Sequence, residues 1–223
     1  MAKSLGTRLR SCTASGPHAR SQRWLKYGPP VQPYDSFALD LLHHSSDELI
    51  LDNGAGNGRF AASLASMGSR VVALDIDLKL LKAARQNTRT RGNVSVIRAD
   101  MTNLPFVRES FDKVICVHNL WYVGDYEKAV HEMRRVLSRC GMCVVDHLNL
   151  LDPRAFAHVA FYVSAIRALA GRGPMDIGRT LWSLMRPFRG TRAEIYSVMA
   201  YEPLHIVKDV RNLARRFVIT FGK

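Results

Sequence analysis

Three carboxylates, a run of glycines and two histidines are the residues in this chain whose spacing suggests chemistry. Asp52 closes the apolar run "ILD" and is followed at once by Gly54, Gly56 and Gly58 in "NGAGNG". Asp75 ends the next apolar run, and Asp100 ends the one after that. His118 and His147 each follow a later apolar run, in "VICVHN" and "CVVDHLN". Glycine inside a regular element is costly, so such a cluster marks backbone that turns sharply or lies against something. A tight turn needs one glycine or two; three favour a ligand lying on the loop. A dinucleotide fingerprint requires G-x-G-x-x-G, whereas Arg59 stands where the third glycine would fall. Asp75 lies at the distance in sequence from which an acid can accept both hydroxyls of a ribose. The pattern therefore fits a nucleoside and makes no demand for a pyrophosphate. A histidine titrates near neutral pH, which makes His118 the first candidate for a general base and His147 the second.

Elements that alternate in kind must hold these residues. "SFALDLLHH" has helical spacing, and "ELILDNG" reads as a buried strand ending at the glycines. "GRFAASLASMG" is a helix stopped by Gly68, "RVVALDID" a strand, and "LKLLKAARQNTRTRG" a helix. "VSVIRAD", "FDKVICVHN" and "GMCVVDHLN" are further strands, with the helix "YEKAVHEMRRVLS" before the last. Strands alternating with helices predict a parallel sheet covered on both faces. Near the end, "HIVKDV" and "RRFVITFG" are spaced for an antiparallel hairpin over 205–223. The fold expected is α/β, a Rossmann-like, doubly wound and mostly parallel sheet with that hairpin added.

Composition narrows the function. The chain has 223 residues, 47% hydrophobic and 23% charged, which suits a folded protein and excludes a disordered one. No run approaches the roughly 18 apolar residues of a membrane span. Cys140 and Cys143 form a C-x-x-C without a second pair at zinc spacing, so no metal site is expected and buried thiols are. The net charge is +13: residues 1–44 carry six cations and two acids, 45–149 fourteen and twelve, and 150–223 twelve and five. Basic ends suit an anionic partner, whether nucleic acid, lipid or acidic metabolite. Residues 1–28 contain no acid and read as a flexible basic tail, with an organelle-targeting peptide as the alternative. A cytoplasmic location is expected otherwise.

Five stretches in order, "ILDNGAGNG", "VVALDID", "VIRADMTNLPF", "FDKVICVHNLWYV" and "EMRRVLSRCGMCVVD", give the chain a family likeness. Over residues 48–150 it resembles the class I S-adenosylmethionine-dependent methyltransferases, closest to the small-molecule and quinone-biosynthesis (type 11) group. The resemblance implies S-adenosyl-L-methionine as cofactor. It places Asp52 near the methionine amino group and Gly54, Gly56, Asn57 and Gly58 beneath the methionine and ribose. Asp75 would accept the ribose hydroxyls, and Ile76 would pack on the adenine. Asp100 would take the exocyclic amine, with the Met101 N–H meeting the ring, while Val117 and His118 would lie beside the transferable methyl. It also divides residues 29–223 into the cofactor core at 48–150, substrate-cover helices within 151–204, and the closing hairpin.

The acceptor side is less specific. Enzymes that methylate base amines carry an Asn- or Asp-Pro-Pro-aromatic run after the fourth strand, whereas this chain has His118, Asn119, Leu120 and Trp121. Nucleic acid is therefore the less favoured partner, and a small-molecule acceptor the favoured one. Asn119, Trp121 and Tyr122 are candidate pocket walls, and Tyr34 a candidate lid residue. Two cover helices are expected at 153–170 and about 177–188. The second sets Ile177, Leu181, Leu184, Met185 and Phe188 largely on one face, with Arg179, Arg186 and Arg189 beside or opposite it. That pattern suits contact with an amphipathic acceptor or an anionic membrane surface, or plain packing. RNA or protein methylation, and a non-catalytic nucleoside-binding regulatory subunit, are the alternatives. The oligomeric state is not encoded legibly.

Overall fold

A computed structural model describes residues 33–148, 185–189, 191–201, 204–208 and 216–222. The basic tail, the helix expected at 153–170 and most of the helix expected at 177–188 lie outside these residues. The elements run α1 (Pro33–Leu41), β1 (Leu49–Asn53), α2 (Arg59–Ser66), β2 (Arg70–Asp75), α3 (Leu78–Thr88) and β3 (Val94–Arg98). They continue with β4 (Phe111–Cys116), α4 (Tyr126–Val136), β5 (Leu137–Leu148), β6 (Ala193–Tyr201), β7 (Leu204–Lys208) and β8 (Arg216–Gly222).

Local chemistry sets the helix starts. Asp77 caps α3, its Oδ1 accepting from the Lys79 and Leu80 N–H groups at 2.8 and 3.3 Å. Asp125 caps α4 by accepting from Lys128 N at 3.0 Å, and Arg134 and Arg135 sit in the last turn where the helix dipole favours cations. Gly68, at φ 99°, ends the chain's excursion after α2.

The strands form one eight-stranded sheet in the order β3-β2-β1-β4-β5-β8-β6-β7. The first five are parallel, and β1 lies between β2 and β4, so the chain reverses its direction of progress at β1. In an open α/β sheet, that reversal leaves a crevice at the carboxyl ends of the strands. Alternate residues feed two cores. Leu51, Val114, Cys143 and Ile219 pack with α4 on one face; Ile50, Ile115, Val144 and Val218 pack with α1 and α2 on the other. Each such fully buried aliphatic side chain contributes about 1.5–3 kcal/mol.

The expected hairpin is corrected in its partners. β7 does not pair with β8; it pairs antiparallel with β6, from which only Glu202 and Pro203 separate it. β8 is inserted between β5 and β6, antiparallel to both. The physical reason is that β8 is apolar on both faces: Val218 feeds one core, and Ile219 and Phe221 the other. Such a strand belongs in a sheet interior, not at an edge. The end of the second expected cover helix is a single 3-10 turn, Arg186–Phe188, whose Phe188 stacks edge-on with Phe221 at 4.9 Å. That contact is packing. The thiols are also corrected in part, because Cys116 and Cys143 are buried but Cys140 is exposed. Among the described residues no group of three metal-ligating side chains is assembled, and no helix is long and apolar enough to cross a membrane.

Candidate functional site

The site is built at the carboxyl ends of β1, β2, β4 and β5. After β1 the backbone turns through Gly54 (φ 89°), Gly56 (φ 57°) and Gly58 (φ 80°). The three glycines do different work. A Cβ on Gly54 would lie 2.5 Å from the Asn119 amide carbon, and one on Gly58 would lie 3.0 Å from Ala84, where α2 crosses α3. A Cβ on Gly56 would meet nothing within 4 Å, so this glycine leaves open space above the loop. Gly54 N and Ala55 N both donate to Leu74 O, which ties the loop to β2. Asn57 is buried, and its carbonyl accepts from Asn87 Nδ2 at 2.9 Å.

Asp75 is buried at the end of β2. Its Oδ2 accepts from Gly56 N and its Oδ1 from Asp77 N, both at 2.9 Å. A carboxylate only accepts hydrogen bonds, which is the chemistry that a pair of ribose hydroxyls requires. Ile76 is half-buried beside it. Asp100 Oδ1 accepts from Thr102 N and Thr102 Oγ1, forming the turn into "MTNLPF", and the Met101 side chain is buried in the core. That loop is clamped from behind. Glu132 accepts from Leu104 N at 2.8 Å, while Arg135 donates to Leu104 O, Phe106 O and Glu132. Burial opposes the Glu132 charge, but the bonds from Arg135 and Leu104 outweigh it and lower the carboxyl pKa.

Asp52 is buried at the end of β1 and accepts from Ala61 N at 3.1 Å. Burial pushes its carboxyl up to about 7, and nearby Asp75 adds to the rise; the Ala61 bond and Arg59 oppose it. A buried acid in this state is stabilised by any cation that binds beside it.

The β4–β5 rim holds a polar cluster that the sequence reading did not assemble. His118 adopts φ 64°, a left-handed conformation costly for a residue with a Cβ. Its N–H donates to Asp146 Oδ1 at 2.7 Å, and its Nε2 lies 2.9 Å from Asp35 Oδ1. Its Nδ1 lies 4.0 Å from Asp146 Oδ2. Tyr34 Oη donates to Asp146 Oδ2 at 2.7 Å, and Arg59 pairs with both oxygens of Asp35 at 2.9 and 3.0 Å. Helix α1 is thereby fastened across the rim by Tyr34 and Asp35. Asp35 and Asp146 are both buried and both carry the arrangement, yet neither was a sequence candidate. A lone acid at the end of the apolar run "MCVVD" was the available signal for Asp146, because burying a charge demands partners.

Three acceptor candidates take other places. Asn119 is buried and donates to Gly54 O at 2.6 Å and Val117 O at 2.8 Å, so its amide braces two loops. His147 does not share the rim with His118. It is buried on the opposite face of β5, edge-on to Trp121 at 6.4 Å and Tyr126 at 6.1 Å, because adjacent strand residues face opposite ways. Trp121 is buried between the two histidines, 6.1 Å from the His118 ring. Only Tyr122 of the aromatic pair keeps partial exposure, and Val117 is buried in the α1-side core.

Comparison with known proteins agrees with this geometry. Residues 51–145 match the family model described as a methyltransferase domain. A demethylmenaquinone methyltransferase from Thermobifida fusca is 35% identical over 108 residues, 46% of this chain and 46% of that protein. One from Thermus thermophilus is 36% identical over 126 residues, 55% of this chain and 57% of that protein. The chain thus spans about half the length of the curated relatives it matches. A methyltransferase structure from Aquifex aeolicus superposes with TM-score 0.63 at 15% identity, covering 89% of this chain and 96% of that one. A TehB-like methyltransferase from Corynebacterium glutamicum gives 0.62 at 20% identity, covering 91% and 95%. At those identities the structures speak for the fold alone.

The fold is the class I methyltransferase fold. Residues 51–145 are similar to the methyltransferase domain, and the sequence motifs point to S-adenosylmethionine as the cofactor such a domain would hold. The residues present fit that cofactor: an open glycine at the sheet's reversal, a buried acid at the end of β2, and a buried carboxyl that a cation would relieve. When bound, the cofactor supplies a methyl group on a sulfonium, already activated for displacement.

Proposed function

We propose that this chain methylates a small, quinone-like aromatic acceptor at the β4–β5 rim. The observation that carries the reading is that the glycine loop between Asp52 and Asp75 is joined to the cluster of His118, Asp35 and Asp146, through Asn119 on Gly54 O and Arg59 on Asp35. The names of the relatives support a quinone-like acceptor. In this reading Asp75 holds the ribose, Ile76, Asp100 and the Met101 backbone hold the adenine, and Asp52 faces the methionine ammonium. The chain's part in the reaction is to bring the nucleophilic atom of the acceptor into line and to remove a proton from it. The His118 ring meets Asp35 through Nε2 and lies edge-on to Tyr34, which fixes its orientation, and His118 is the residue that takes the proton under this proposal. Asp146 holds the backbone that presents the ring. Tyr34 and Tyr122 border the acceptor in this reading.

The test is methyl transfer from labelled S-adenosylmethionine to chemically reduced demethylmenaquinone. Labelled methylated quinone is expected, with a His118→Ala variant that binds the cofactor normally but turns over at least a hundredfold more slowly. No product in the presence of normal cofactor binding would overturn the acceptor; an undiminished variant would remove His118 as the base.

A further inference from the structure

The charge of the cofactor domain is not evenly spread. Between Asp77 and Asp100 there are six cations, Lys79, Lys82, Arg85, Arg89, Arg91 and Arg98, and no acid. The rest of residues 45–149 then holds eight cations and twelve acids, so a segment of +6 adjoins a remainder of −4. The structure puts this segment on α3 and on β3, the edge strand of the sheet. Leu80, Leu81, Ala84 and Thr88 form the buried face of α3. Leu78, Lys82, Arg85 and Arg89 fall on a different face, within an arc of about 60° at 100° per residue. All four are exposed, as are Lys79, Arg91 and Arg98. Neither the three cations of α3, Lys79, Lys82 and Arg85, nor Arg89 at its C-terminal cap forms an ion pair among the described residues. Leu78 is 49% exposed at the head of this face, three residues after Asp75 and so at the cofactor rim.

We propose that this α3 face docks the protein on an anionic lipid bilayer. Three or more cations along one helix face, headed by an exposed leucine, match a surface that combines negative charge with an apolar layer just beneath it. A nucleic acid fits less well, since single strands are held by aromatic side chains interleaved with cations and residues 78–99 contain no aromatic. Docking on α3 brings the rim at Asp75 toward the lipid, which would serve an acceptor dissolved there; the inference rests on the quinone-like reading for its purpose, not for its physics.

The experiment is sedimentation of the full chain with vesicles of phosphatidylcholine alone or with a third of phosphatidylglycerol, in low and physiological salt. Binding to the anionic vesicles only, weakened by salt, is expected. Cations near such a surface are attracted to it, so Lys82→Gln/Arg85→Gln/Arg89→Gln should lower partitioning at least tenfold. Arg108→Gln/Arg139→Gln/Lys128→Gln, with the same change of net charge elsewhere, should lower it less than threefold. Melting temperature and cofactor affinity, read by calorimetry on each variant, should match the parent. Equal losses in the two triple variants, or no binding by the parent, overturn the proposal. So does a loss confined to binding of a single-stranded oligonucleotide. None of these outcomes touches the methyl-transfer assay, so the two readings fail separately.

Discussion

Asp52 is where burial and chemistry meet most directly. Its folded-state pKa of about 7 stands above the ordinary 3.8, so the folded protein holds this proton longer than the unfolded chain does. The resulting stability is complete below pH 4 and is lost as pH rises through 7, an effect on the order of 4 kcal/mol. An ammonium placed beside Asp52 requires the ionised form, so cofactor affinity should be flat above pH 7 and fall about tenfold per unit below it. Calorimetry from pH 5.5 to 8.5 in two buffers of different ionisation heat should show proton release at the low end. A pH-independent affinity, unchanged by Asp52→Asn, would separate this acid from the cofactor. The legibility of single residues follows the same logic. Asp52, Asp75 and the glycines announce themselves because an acid or a glycine at the end of an apolar run needs a reason. Asp35, Arg59 and Asp146 come together only in space, from α1, α2 and β5, and no spacing along the chain records their meeting.

At the scale of elements, the loop after β3 depends on α4. Arg135 and Glu132 replace missing backbone partners for Leu104 and Phe106, which keeps the segment from Asp100 onward in one place. Arg135→Ala removes several charge-assisted bonds at once and should destabilise the protein by about 2–3 kcal/mol, with weaker cofactor binding. A thermal melt and a titration of the variant measure both; a lower melting temperature with full affinity would mean that the loop does not contribute to the adenine site. Strand order shows what pattern reading reaches. Period and apolar runs identified the parallel strands and their helices, because each is bounded by glycine, a cap or a polar turn. They mispaired β7 with β8, since nearness in sequence favours a hairpin while the two apolar faces of β8 require an interior position. Likewise a period of two alone does not tell which side of β5 faces the rim, and that is why Asp146 and not His147 reaches it.

For the whole molecule, the sequence carries a pattern for the cofactor side and none for the acceptor side, for a physical reason. The cofactor is one molecule with fixed polar groups, so the acids and glycines that meet it recur at set intervals; an acceptor is met by a cover whose residues answer only to its shape. The central claim is that S-adenosylmethionine lies where β1 parts from β4, gripped by Asp75. Titration calorimetry of the parent and of Asp75→Ala with S-adenosylmethionine and its demethylated product tests this most directly. The account predicts saturable binding of both ligands by the parent and a loss of about 2–3 kcal/mol, roughly thirty- to a hundredfold or more, in the variant. Equal affinity in the two proteins, or no binding by a folded parent, would contradict it.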